Sequence, residues 1–106
     1  MAEELTRLRK LYIDVPLPGY GTEEDLRKIF QKYLPILADV ASRDLEYRNL
    51  TSGLVERADD IDILFSAAKS VTTKKDKERF LKGANNTLRA DIKILIEIIE
   101  NNPPVV

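Results

Sequence analysis

Apolar residues recur every three or four positions along most of this chain, which is the period of an amphipathic α-helix rather than the alternation of a β-strand. The longest unbroken series lies in the last third and consists of Leu81, Ala84, Leu88, Ile92, Leu95 and Ile99. Leu and Ile dominate the apolar set and Trp is absent. The pattern therefore predicts an all-α fold, a small antiparallel bundle of three or four helices dominated by two long helices.

Capping residues and breakers divide the pattern into elements. Thr22 and Thr73 each precede an apolar series and have Asp three residues later, which is typical of helix N-caps. Two prolines and two glycines fall within 15–21 and predict a loop. The predicted helices cover about 3–14, 23–34, 35–70 and 74–101, followed by a frayed tail over 102–106.

Three residues decide how many helices this pattern makes. We expect Pro35 to occupy the first turn of a new helix, because its missing amide costs nothing there, although a kink is the alternative. Gly53 weakens the helical pattern, so a break of the helix near 51–53 is the alternative to one continuous helix. The apolar spacing continues across Gly83, which favours one uninterrupted last helix.

Composition limits the chemistry that this chain can perform. A length of 106 residues with 43% hydrophobic residues fits a single helical domain over 1–106. Cys and His are both absent, which excludes disulfides, thiol nucleophiles and most zinc sites. The acidic N-terminus lacks a signal-peptide pattern, and no apolar run is long enough to cross a bilayer. We expect a cytoplasmic protein with no membrane partner, no cofactor and no catalytic residues.

The last predicted helix carries a line of cations opposite its apolar face. This basic row is spaced 4, 3, 4, 3, 4 and consists of Lys75, Arg79, Lys82, Asn86, Arg89 and Lys93. It spans a sector of roughly 80° and a length of about 27 Å. The chain as a whole has a net charge of −1, so any attraction must be local. An ordinary solvated helix face explains such a row, and the functional alternative is sequence-independent contact with a nucleic-acid backbone.

Four acidic residues crowd one stretch of the preceding helix, at Glu56, Asp59, Asp60 and Asp62. Glu56 and Asp59 would lie one turn apart, a spacing that can hold Mg²⁺. The stretch 55–61, VERADDI, resembles the second metal-binding motif of the all-α nucleotide pyrophosphohydrolases. This resemblance implies a metal-dependent enzyme with Glu56 and Asp59 as ligands.

The chain departs from that family's pattern in its first motif. A run of three glutamates has no match here, and Asp44 and Glu46 are the nearest acids. The apolar series of the helix also directs Glu56 outward, whereas metal sites in bundles face inward. This favours an acidic surface patch that could bind the basic row of another helix or chain. The interpretation as a metal-dependent enzyme would instead be supported by an inward-facing group of four acids, Asp44, Glu56, Asp59 and Asp91.

The end of the last helix is apolar on nearly every side, with Ile94, Ile96 and Ile98 outside the main series. Such a helix is usually buried on more than one face. The three isoleucines are therefore candidate partner-binding residues. The alternative is that the first helix and the loop containing Tyr20 cover them.

These patterns predict a non-enzymatic helical adaptor or accessory subunit. It would self-associate or bind a larger complex, with nucleic-acid contact through the basic row as a secondary activity. The alternative is a metal-dependent enzyme like the all-α nucleotide pyrophosphohydrolases.

Overall fold

The computed structural model describes residues 2–17 and 22–102, and these form four α-helices. The helices are α1 (Ala2–Asp14), α2 (Glu23–Ala41), α3 (Leu45–Ser70) and α4 (Lys74–Asn101). The described residues contain no strand. The predicted fold class, a small all-α bundle dominated by two long helices, is confirmed, since α3 has 26 residues and α4 has 28.

Polar side chains fix the starts of three helices. Thr22, Asp44 and Thr73 are the N-caps of α2, α3 and α4, and each accepts a hydrogen bond from the backbone amide three residues later. The donor to acceptor distances are between 2.9 and 3.2 Å. Each cap satisfies one amide that has no partner inside its helix.

The prediction that a new helix begins at Pro35 is wrong, because α2 continues through Pro35 to Ala41. The break falls later, between the C-cap Ser42 and the N-cap Asp44. Pro35 is exposed while Tyr33 and Ile36 on either side are buried, so core packing on both sides outweighs the hydrogen bond that proline removes.

Neither glycine in the long helices interrupts them. Gly53 lies inside α3, so the alternative break near 51–53 does not occur, and Gly83 lies inside α4. Leu54 beside Gly53 and Ala84 beside Gly83 are both buried, at 1% and 0% exposure. The apolar stripe of each helix therefore continues across its glycine.

Cross-helix contacts show an up-and-down bundle. Arg57 of α3 bonds Asp91 of α4, and Phe30 of α2 packs on Phe65 of α3 with ring centroids 5.7 Å apart. α1 packs on α2 and α4, and its backbone does not closely approach the described residues of α3. The two helices α1 and α3 therefore lie diagonally across the bundle.

Helix α1 covers only part of the bundle because its 13 residues extend about 20 Å, against about 42 Å for α4. Arg9 lies 3.7 Å from Glu100, and Asn85 bonds the carbonyl of Pro16. Helix α1 thus runs antiparallel to the C-terminal half of α4. The N-terminal half of α4 projects beyond it.

None of the helices in the described residues combines the length and the apolar character that crossing a membrane requires.

Candidate interaction surface

The structure places the basic row on the solvent-facing side of α4. Leu88 and Ile92 on the opposite side are completely buried, and this fixes the rotation of the helix. Lys75, Lys82 and Lys93 are exposed, and none of them forms an ion pair within the described part of the chain. These three ammonium groups are therefore available to an external anion.

Arg79 and Asn86 complete the accessible part of the row. The Arg79 guanidinium lies 3.7 Å from Asp76 and 5.2 Å from the ring centroid of Phe80. Its side chain nevertheless remains 72% exposed, and Asn86 is exposed as well. A contact of this kind between exposed groups contributes little and yields easily to a better partner.

Arg89 has a different role from the other cations of the row. Its guanidinium stacks 4.5 Å from the ring centroid of Tyr12, and Nη1 donates a long hydrogen bond of 3.5 Å to the carbonyl of Val15. Asn85, one turn earlier on α4, donates to the carbonyl of Pro16 at 2.8 Å. Arg89 therefore holds the end of α1 against α4, and the row is free on either side of it.

Other lysines near the start of α4 have acidic partners. Lys74 lies 3.8 Å from Glu78 within the helix, and Lys77 lies 3.8 Å from Glu23 of α2. The unneutralised positive charge of α4 is therefore concentrated on the basic row.

The candidate partner-binding isoleucines do not form a continuous exposed surface. Ile96 is only 8% exposed and Ile98 packs against the core, while Ile94 is 37% exposed. Helix α1 packs on α4 along this half, and the predicted cover by Tyr20 lies outside the described residues. Most of the apolar surface at the end of α4 is used within the fold.

The four acids of α3, called here the acidic face, point away from the core. Ala58 and Ile61 are buried between them, whereas Glu56, Asp59, Asp60 and Asp62 are all exposed. No ion pair among the described residues involves any of the four. The acidic face is therefore an uncompensated negative surface.

The acids do not converge as a metal centre would require. Asp44 caps the start of α3, Asp91 is buried on α4, and Glu56 and Asp59 point into solvent. Within 2–17 and 22–102, no group of three or more acidic side chains is placed to hold a metal ion. The geometry therefore lends no support to the ligand roles that the resemblance implies for Glu56 and Asp59.

Ile63 is a feature of the acidic face that sequence reasoning missed. It is 62% exposed, and it follows Asp59 by four residues and Asp60 by three, so all three share one side of α3. Ile63 therefore adds exposed apolar area at the C-terminal edge of the acidic face. A helical projection of α3 would have identified it, because Ile63 falls opposite Leu54.

A partly buried ion pair links the two long helices, since the Arg57 side chain is 41% exposed. Arg57 Nε donates to both carboxylate oxygens of Asp91, at 3.0 and 3.1 Å, and the Asp91 side chain is only 3% exposed. Burial raises the pKa of Asp91, and the hydrogen bond and charge of Arg57 oppose part of that rise. Burial and the negative charge of Asp91 also raise the pKa of Tyr33. We assign this group to the core, where it aligns α3 with α4.

A groove of 360 Å³ lies between α1 and α2. Leu11, Pro35 and Ile36 provide its apolar lining, and its rim includes Lys10 and Lys32. The basic row and the acidic face contribute no residue to it, so the groove is separate from both charged surfaces.

Comparison of the chain with protein-family models, with curated proteins and with solved structures gave no match.

Proposed function

We propose that this chain is a non-enzymatic helical adaptor or accessory subunit that binds an anionic macromolecular surface through the basic row of α4. The observation that carries the proposal is the exposure of Lys75, Lys82 and Lys93 without any acidic partner in the described residues. The lack of Cys suits a reducing compartment, and we place the subunit in the cytoplasm.

The arrangement of these cations favours an extended partner over a small ion. A single exposed ion pair contributes only about 0.2 to 1 kcal/mol, so one lysine would bind nothing measurable. Three cations and one amide, spaced at 4, 3 and 4 positions along a rigid helix, instead present a line of binding groups to several anions at once, namely Lys75, Arg79, Lys82 and Asn86. A repeating anionic surface can engage such a line cooperatively.

A nucleic-acid backbone is one partner with this chemistry. Lysine and arginine neutralise phosphates, and Asn86 could donate to a phosphate oxygen. The row contains no aromatic residue to stack on bases, and binding would be independent of base sequence because contacts of cations with phosphates do not read the bases. With about three or four phosphates contacted, log Kd should change with log salt concentration with a slope of about 3.

Retention on immobilised heparin tests the proposal, because heparin is a polyanion that carries no base sequence. The test variant is Lys75→Glu/Lys82→Glu, in which two exposed cations of the row become anions. We expect its affinity for heparin at low salt to fall by at least about tenfold relative to the natural chain.

A matched variant separates the contribution of the row to heparin binding from the contribution of net charge. Lys10→Glu/Lys32→Glu reverses two exposed lysines that lie on α1 and α2 and have no ion pair in the described residues. It changes the net charge by the same amount, so heparin binding should fall much less. Equal losses in the two variants, or no retention of the natural chain, would show that the row does not bind a polyanion.

A further inference from the structure

We propose that the anionic surface bound by the basic row is the acidic face of a second copy of this chain. This inference rests on the proposed function, because it names the partner of the same row. It follows from three properties of the described surface, which are the match in charge and length, the exposed Ile63, and the placement of the two faces on different sides of the molecule.

The two surfaces match in charge and in length. The acidic face provides three exposed carboxylates that form no ion pair in the described residues, those of Glu56, Asp59 and Asp60. The basic row provides two exposed ammonium groups that also form no ion pair there, those of Lys75 and Lys82. Glu56 to Asp62 extends about 9 Å along α3, and Lys75 to Lys82 extends about 11 Å along α4. Two helices laid side by side would bring these charges together over two turns.

The acidic face also has an exposed apolar residue at its C-terminal edge that a contact would cover. Ile63 is 62% exposed and lies one turn after Asp59 and Asp60. The aliphatic stems of Lys75, Arg79 and Lys82 can lie over such a residue while their charged ends reach the neighbouring acids.

One copy cannot satisfy both of its own surfaces. The row borders α1, since Arg89 stacks on Tyr12, whereas the acidic face is on α3, which lies diagonally across the bundle from α1. The two surfaces therefore lie on different sides of the bundle. A contact between them joins unlike patches of two copies and leaves one free patch on each, so association continues beyond the dimer.

The association is electrostatic and weak. Exposed pairs are screened by salt, and the Debye length is about 10 Å at 0.1 M. The measurement therefore needs high protein concentration and two salt concentrations.

Sedimentation velocity on the full chain and two charge-reversal variants tests the inference. The row variant is Lys75→Glu/Lys82→Glu, and the face variant is Asp59→Lys/Asp60→Lys, with all four positions exposed. At protein concentrations up to about 500 µM and about 20 mM salt, the natural chain should exceed the mass of a dimer, and about 300 mM salt should reverse this. Each variant alone should stay monomeric.

Mixing the two variants is the decisive step. An equal mixture should associate again, because each variant supplies the surface that the other has lost. Lys10→Glu/Lys32→Glu should associate like the natural chain. Circular dichroism of each variant verifies that the helices are intact.

Three results would overturn the inference. They are a natural chain that stays monomeric throughout, variants that associate as the natural chain does, and a mixture that stays monomeric. A monomeric chain that still binds heparin or a duplex oligonucleotide through the row would leave the proposed function intact and assign the row to an external polyanion. Self-association of the natural chain without retention on heparin would support the contact between copies and overturn the binding of external polyanions by the row.

Discussion

Two buried tyrosines differ in whether their hydroxyl groups have a hydrogen-bond partner. Tyr33 Oη is buried and has no partner within the described part of the chain, whereas Tyr47 Oη donates to the carbonyl of Asn102. Burying an unsatisfied hydroxyl is unfavourable, and a satisfied one contributes modestly to stability. Replacing tyrosine with phenylalanine should therefore have opposite effects on the free energy of unfolding at the two positions.

We expect Tyr33→Phe to raise the free energy of unfolding by about 1 kcal/mol and Tyr47→Phe to lower it by a similar amount. Urea denaturation of the two variants against the natural chain measures both. A destabilising Tyr33→Phe would mean that its hydroxyl binds a group such as a buried water, and would contradict this account of the core.

The exposure and contacts of individual side chains were predictable from sequence only where the local spacing of residues determines them. Lys75 and Lys82 are exposed because they lie opposite Leu88 on one helix, and spacing alone shows this. Arg89 has the same spacing, yet it stacks on Tyr12, 77 positions earlier in the chain. Contacts at that separation depend on how α1 packs, which periodicity does not determine.

Helix α2 includes a proline at which its hydrogen-bond ladder is incomplete. Pro35 lacks an amide, so the carbonyl of Gln31 has no helical donor four residues later. The proline is exposed on the α1 side of the helix and contributes little to the core. The helix is therefore held together across this point by tertiary packing.

We expect Pro35→Ala to raise the free energy of unfolding by about 2 kcal/mol. Proline in a helix interior is about 3 kcal/mol less favourable than alanine, and the more flexible unfolded chain of the variant offsets part of the gain. Thermal or urea unfolding measures the change. Lys32→Ala, another exposed position of α2, should stay within about 0.5 kcal/mol, and a loss of stability in Pro35→Ala would contradict the continuous helix.

Helix boundaries were predictable where a cap or an unbroken stripe specified them. Thr22 and Thr73 mark the starts of α2 and α4, and the stripe of α4 crosses Gly83 without a break. The end of α2 was misplaced because Pro35 is the stronger local signal, while the actual break at 42–44 contains neither proline nor glycine. Packing of Ile36 and Leu37 in the core outweighed the local preference.

The whole molecule is a bundle in which α1 covers only half the length of α4. This placement explains why Ile96 and Ile98 are unavailable to a partner, although they stand out in the sequence. It also leaves the row from Lys75 to Lys82 on the part of α4 that projects beyond α1. Which half of a long helix is covered depends on where a short helix packs, and the sequence pattern does not encode that directly.

The central claim is that the binding surface is the charged side of α4 rather than its apolar end. Titration of the ¹⁵N-labelled chain with a short heparin fragment, followed by amide chemical shifts, tests it most directly. We predict shift changes along Lys75 to Lys93, strongest between Lys75 and Asn86, that disappear in Lys75→Glu/Lys82→Glu. Changes centred on Ile94 or on the α1–α2 groove, or no changes at low salt, would contradict the claim.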